Sequence, residues 1–120
     1  MESFSISVDC PDPEQLLNEL WPKLDEYCKY EVFEYASGKV IMIAFEKVFK
    51  ADSNLLATIA MDFTSADGCQ IDIISGGGEY SLNFRSGAEK DVVSNIIQIF
   101  VDISEAKRWN IGEYKSESVR

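Results

Sequence analysis

Histidine is absent from this sequence. That removes the commonest general base, most zinc sites, and every Ser-His or Cys-His nucleophile pair. Cysteine is scarce: Cys10, Cys28 and Cys69 stand far apart with no C-x-x-C spacing. An odd, scattered set reads as reduced, buried thiols rather than a disulfide frame or a metal site. Long apolar runs are missing too, and the first residues, MESFSISVD, lack a basic segment leading into an apolar one. The expectation is therefore a cytoplasmic chain with no membrane association. Basic residues are few, 11 against 21 acids, for a formal charge of −10. Residues 1–36 hold nine acids and two bases, so −7 of that charge sits in the first third. Such a surface repels nucleic acid, whose binding relies on Lys and Arg neutralising phosphates.

What is present describes one domain. At 120 residues, with 46% hydrophobic content, the chain supports one core but not two. SFSISV alternates Phe4, Ile6 and Val8 with serines, a strand at period two. The period then changes. Asp12 is a good N-cap, Pro13 suits the first helical position, and Leu16, Leu20 and Leu24 recur at helical spacing. Pro22 interrupts that stripe, which predicts two short helices or one bent one.

Strand patterns follow in YEVFEY, KVIMIAFEKVF, LLATIAMDFT and CQIDII. The segment VIMIAF is apolar on both sides of its pleat, so one side is expected to meet the helices and the other a partner. In the hairpin IAMDFTSADGCQIDII, a three-residue loop Ala66-Asp67-Gly68 with a left-handed Gly68 pairs Ser65 with Cys69. This keeps Phe63, Met61, Ile71 and Ile73 on one face and sets Asp62 opposite Asp72 on the other. A two-residue turn would slip the register by one and turn an acid inward.

After Gly76-Gly77-Gly78, the short EYSLNF reads as a further strand. Ser86 and Glu89 then open a last helix as a capping box, with Val92, Val93, Ile96, Ile97, Phe100 and Ile103 as its buried stripe. The remainder, 111–120, lacks apolar period and is expected to fray. The predicted fold class is α+β: a two-layer sandwich of about six antiparallel strands, order β-α-β-β-β-β-β-α, with both helices on one face.

The glycine triplet invites a phosphate-site reading. However, a strand-like segment follows it instead of a helix, no G-x-G-x-x-G or G-K-[ST] pattern is present, and Glu79 adjoins it. A tight turn or bulge is the expectation, with positive φ at one or more glycines. Gly76, Gly77, Gly78, Tyr80 and Arg85 remain the candidate ligand-binding residues, with the triplet as a flap over a small-molecule pocket between sheet and helices. Val40, Met42, Ala44 and Trp109 are the candidate interaction surface. No catalytic residue, metal site or cofactor is expected.

The order of FEKVFKADSN, IISGGGE and FRSGAEKD resembles DUF6054, a family of small bacterial proteins, over roughly residues 43–100. The resemblance implies no activity. It does imply a bacterial cytosolic setting and a structural frame that includes Phe45, Glu46, Lys47, Gly76, Gly77, Gly78, Gly87, Ala88 and Glu89. Taken together, the expected function is a non-enzymatic module that binds a protein partner or forms a homodimer. A small-molecule-binding domain is the alternative.

Overall fold

The computed structural model describes residues 2–50, 53–77 and 88–113. Its elements are β1 (Glu2–Val8), α1 (Pro13–Tyr27), β2 (Lys29–Tyr35), β3 (Val40–Lys50), β4 (Ser53–Asp62), β5 (Cys69–Gly77), α2 (Ala88–Lys107) and β6 (Ile111–Glu113). The strands form one antiparallel sheet in the order β2-β3-β4-β5-β1-β6. Two helices cover one face, so the α+β two-layer class is as the sequence implies. The sixth described strand follows the last helix instead of preceding it. The expected strand at EYSLNF and the Ser86 cap lie outside the described residues.

The α1 helix begins as its residues dictate. Asp12 accepts a hydrogen bond from the Glu14 N–H at 3.1 Å, and Pro13 occupies the first turn, where no donor is needed. Pro22 does not split the helix; one helix runs from Pro13 to Tyr27. The reason is energetic. An interior proline costs about 3 kcal/mol, whereas Leu16, Leu20 and Leu24 are all fully buried at about 1.5–3 kcal/mol each. Pro22 itself is exposed, so its ring sits on the solvent side of the helix.

Alternation along each strand separates the two sheet faces. Ile41, Ile43 and Phe45 of β3 meet Ala57, Ile59 and Met61 of β4, then Ile71 and Ile73 of β5, beneath Ile96 and Phe100 of α2. The β4–β5 hairpin corrects the expected register. Asp62 pairs with Gln70, and Ala60 pairs with Asp72, so the ladder is shifted by two residues and the two acids are not opposed. A shift of two preserves which face each side chain takes, so the core set is unchanged. The longer loop has one local cause and one distant one. Asp62 accepts from the Thr64 N–H at 2.8 Å and its hydroxyl at 2.6 Å, which ends β4. The Phe63 N–H turns to the Lys39 carbonyl at 2.7 Å.

Two further expectations change. Gly76 and Gly77 are strand residues paired with Leu56 and Leu55, not a turn, and Gly76 has no positive φ; Gly78 lies outside the described residues. Ile111–Glu113 pairs with β1 where fraying was expected. What brings β6 to β1 is the end of α2. Arg108 adopts φ 59, the Trp109 N–H donates to the Ser104 carbonyl at 2.9 Å, and the Arg108 N–H donates to Glu105 at 3.3 Å. This closing pattern favours glycine at the position Arg108 holds. Arg108→Gly is therefore expected to stabilise the fold by about 0.5 kcal/mol, the relief of left-handed strain exceeding the lost charge and the added freedom of the unfolded chain. A rise of a few degrees in the thermal midpoint is the expected reading; a fall would contradict the strain.

Candidate interaction surface

The sheet face turned away from the helices has no covering element among the described residues. Cross-strand rows define it. Phe33, Met42 and Ala60 form one row that ends at Asp72 and Ser5; Tyr35 and Val40 begin the next. Ala44, Thr58 and Ile74 form a third, and Leu56 lies beyond them. Leu56 is 61% exposed, Tyr35 52%, Phe33 49% and Ile74 42%. Exposed apolar side chains scattered singly are ordinary, but a contiguous group across four strands is not.

Polarity changes across this face. On β1 the outward residues are Ser3, Ser5 and Ser7, and Ser5 donates to the Asp72 carboxylate. The apolar area thus centres on β2 and β3, reaches Leu56 of β4 and Ile74 of β5, and is bordered by Glu31, Glu46, Asp62 and Asp72 before the serines begin. Of the candidate interaction residues, Val40, Met42 and Ala44 lie here, half-buried. Trp109 does not. It packs, half-buried, against the core on the helix side, where its N–H closes α2.

The β2 strand forms one edge of this sheet, and among the described residues nothing pairs with its outer side. From Glu31 to Tyr35 every residue is exposed, including Val32 on the helix side at 44%. The helix layer stops just short of it. Trp21 of α1 stacks on Tyr30 with ring centres 5.9 Å apart, and the Tyr30 hydroxyl donates to Asp25 at 2.7 Å. Desolvation, then that hydrogen bond and the nearby Asp25 charge, push the Tyr30 phenol up from 10.0 to about 12. The folded state therefore holds this proton more tightly than the unfolded chain. Its contribution is fully present below pH 10 and is lost as pH rises toward about 12. Urea midpoints followed across that window should fall further for the wild type than for Tyr30→Phe; parallel curves would contradict the shift.

Lys47 does not sit beside Asp62 and Asp72, because it lies on the opposite face of the sheet. It points to the helix side, where Nζ donates to the Tyr27 carbonyl at 2.7 Å and lies 4.1 Å from the centre of the Tyr27 ring. It thereby satisfies a carbonyl at the C-terminal end of α1, where the helix dipole favours a cation.

Burial pushes the Cys10, Cys28 and Cys69 thiols up, away from the reactive thiolate. Among the described residues no three Cys, Asp or Glu side chains converge as a cation site would need, and no helix is long and apolar enough to cross a membrane. A cleft of about 470 Å³ opens at the end of the sheet between Asp9, Ser65, Asp67 and Asn110. It lies away from Gly76 and outside the sheet–helix layer, so it is not the pocket the sequence led one to expect. Gly76 and Gly77 are held in the β4–β5 ladder. Gly78, Tyr80 and Arg85 lie outside the described residues.

No family model, curated protein or solved structure matches this chain.

Proposed function

We propose that this chain is a cytoplasmic, non-enzymatic protein-interaction module that makes contact through the outer sheet face. The observation that carries this reading is the contiguous apolar area from Phe33 and Tyr35 through Val40, Met42 and Ala44 to Leu56 and Ile74. A surface of this kind is costly to leave in water and marks a docking site for protein. The acidic surplus of the chain disfavours nucleic acid and anionic lipid as the occupant. The small-molecule alternative has less support, because two of its three flap glycines are ladder residues.

A photo-crosslinking residue placed at Met42, in the middle of the face, tests the reading. The same residue at Ala106, exposed on α2, serves as the control. Irradiation in cells is expected to yield discrete protein adducts from position 42 and few from position 106. Equal, diffuse labelling from both positions would refute a dedicated face.

A further inference from the structure

We infer that two copies of this chain join edge to edge through β2, in antiparallel register about a two-fold axis at Val32, extending both sheets into one. The inference rests on the interaction-module reading and adds which partner takes the edge. Sheet edges are commonly blunted by shortness, glycine or charge. The β6 edge follows that rule: it is three residues long, with Gly112 at its centre and Glu113 at its end. The β2 edge is guarded by charge alone, through Lys29, Glu31 and Glu34. It is seven residues long without proline or glycine, and it exposes Val32 on one face and Phe33 and Tyr35 on the other.

The pattern of charges selects the register. Strands related by a two-fold axis perpendicular to the sheet pair residues of like parity, so each face stays continuous. Centred on Val32, the seven residues all find partners. Lys29 meets Tyr35 of the other copy, Glu31 meets Phe33, Tyr30 meets Glu34, and Val32 meets itself. No carboxylate faces another, and the lysine lies beside an aromatic ring. Centring on Glu31 would set that carboxylate against its own copy. Centring on Phe33 would align only residues 31–35 and drive Lys29 into the turn at 36–38, where Ala36, Ser37 and Gly38 have positive φ and cannot extend.

Space permits this arrangement. Val32 and Glu34 are exposed on the helix side, so neither helix blocks the approach of a second strand. The contact is isologous and consumes both β2 edges, so it closes at two copies. It also places the two outer apolar faces side by side as one broader platform for a further protein.

The test is light scattering coupled to size exclusion on the full chain at tens of micromolar. The wild type is expected to elute as a dimer. Val32→Lys alone is expected to be monomeric, and Val32→Glu alone likewise. An equimolar mixture of the two is expected to recover the dimer, because opposite charges then face across the axis. Unchanged far-ultraviolet circular dichroism spectra and cooperative melts for both variants show that folding is intact, as the exposure of Val32 allows. A wild-type monomer, or a dimer indifferent to both substitutions, overturns the proposal. If the wild type is monomeric while position 42 still crosslinks to other proteins, the edge pairing fails and the interaction-module reading survives.

Discussion

Gly68→Ala is expected to cost about 3 kcal/mol or more, and to lower the thermal midpoint by roughly 10–15 °C in a domain of this size. Two independent effects combine there. Gly68 has φ +137, a conformation that residues with a Cβ rarely adopt. In addition, an added Cβ would lie 2.3 Å from the Val8 carbonyl oxygen and 2.9 Å from the Asp9 Cα. Both obstacles are backbone, so no side-chain rotation relieves them. The chain that leaves β1 would have to move, and with it the pairing of Val8 with Cys69. Gly76→Ala is the appropriate control. It has no positive φ and nothing within 4 Å of the added atom, so it should change the midpoint by no more than about 2 °C. A Gly68→Ala protein that melts within that margin would show that the crowding at Val8 is not real.

Phe100→Ala should be comparably severe, about 3–5 kcal/mol by urea denaturation. Phe100 is completely buried and is the largest of the fully buried side chains among the described residues, at the centre of the α2 stripe above β1, β4 and β5. Its removal leaves a void between layers that a helix tied down at Trp109 cannot collapse to fill. Ile97→Ala, one turn earlier and only half-buried, is expected to cost about 1 kcal/mol. The denaturant midpoint should drop with an unchanged slope in both cases, because the surface exposed on unfolding is nearly the same. Equal losses from the two variants would mean that α2 packs through a different face.

The open sheet face accounts for several features that the core does not. The outward side of β3 carries Val40, Met42 and Ala44 where a solvated strand would carry Thr, Lys or Glu. That excess was legible as VIMIAF, since an alternating strand needs polar residues on its wet side. The outward serines of β1 were equally legible, in SFSISV. Neither segment discloses that β2 lies at the margin of the sheet, because edge position depends on strand order. The β2–β2 pairing inferred above therefore comes from topology joined to sequence, and neither would support it alone.

The parts read correctly share one physical basis: they depend on residues within about a dozen positions of one another. The Asp12 cap, the α2 stripe and the strand periods are local, and periodicity reports the buried side of an element wherever that element finally lies. The same logic explains why the β4–β5 register was misjudged by two yet the face assignment was not. Parity is a local property, whereas the offset was decided by distant groups: the Lys39 carbonyl that takes the Phe63 N–H, and the Val8–Asp9 backbone packed on Gly68. Pro22 leaves α1 in one piece for a related reason: its penalty is local, whereas the burial of Leu16, Leu20 and Leu24 that overrides it is tertiary.

Sequence alone thus determined the class of fold, the inward face of the apolar side chains on β1, β3, β4 and β5, and the lack of a histidine-based chemistry. Tertiary structure decided where strands end and which pair. It drew Gly76 and Gly77 into β5 against Leu56 and Leu55, seated Ile111–Glu113 on β1, and left the β2 edge without a neighbour among the described residues. Those outcomes turn on hydrogen bonds between residues as many as 107 positions apart, as with Ile6 and Glu113. A backbone donor carries no mark in the sequence of which distant carbonyl it will meet.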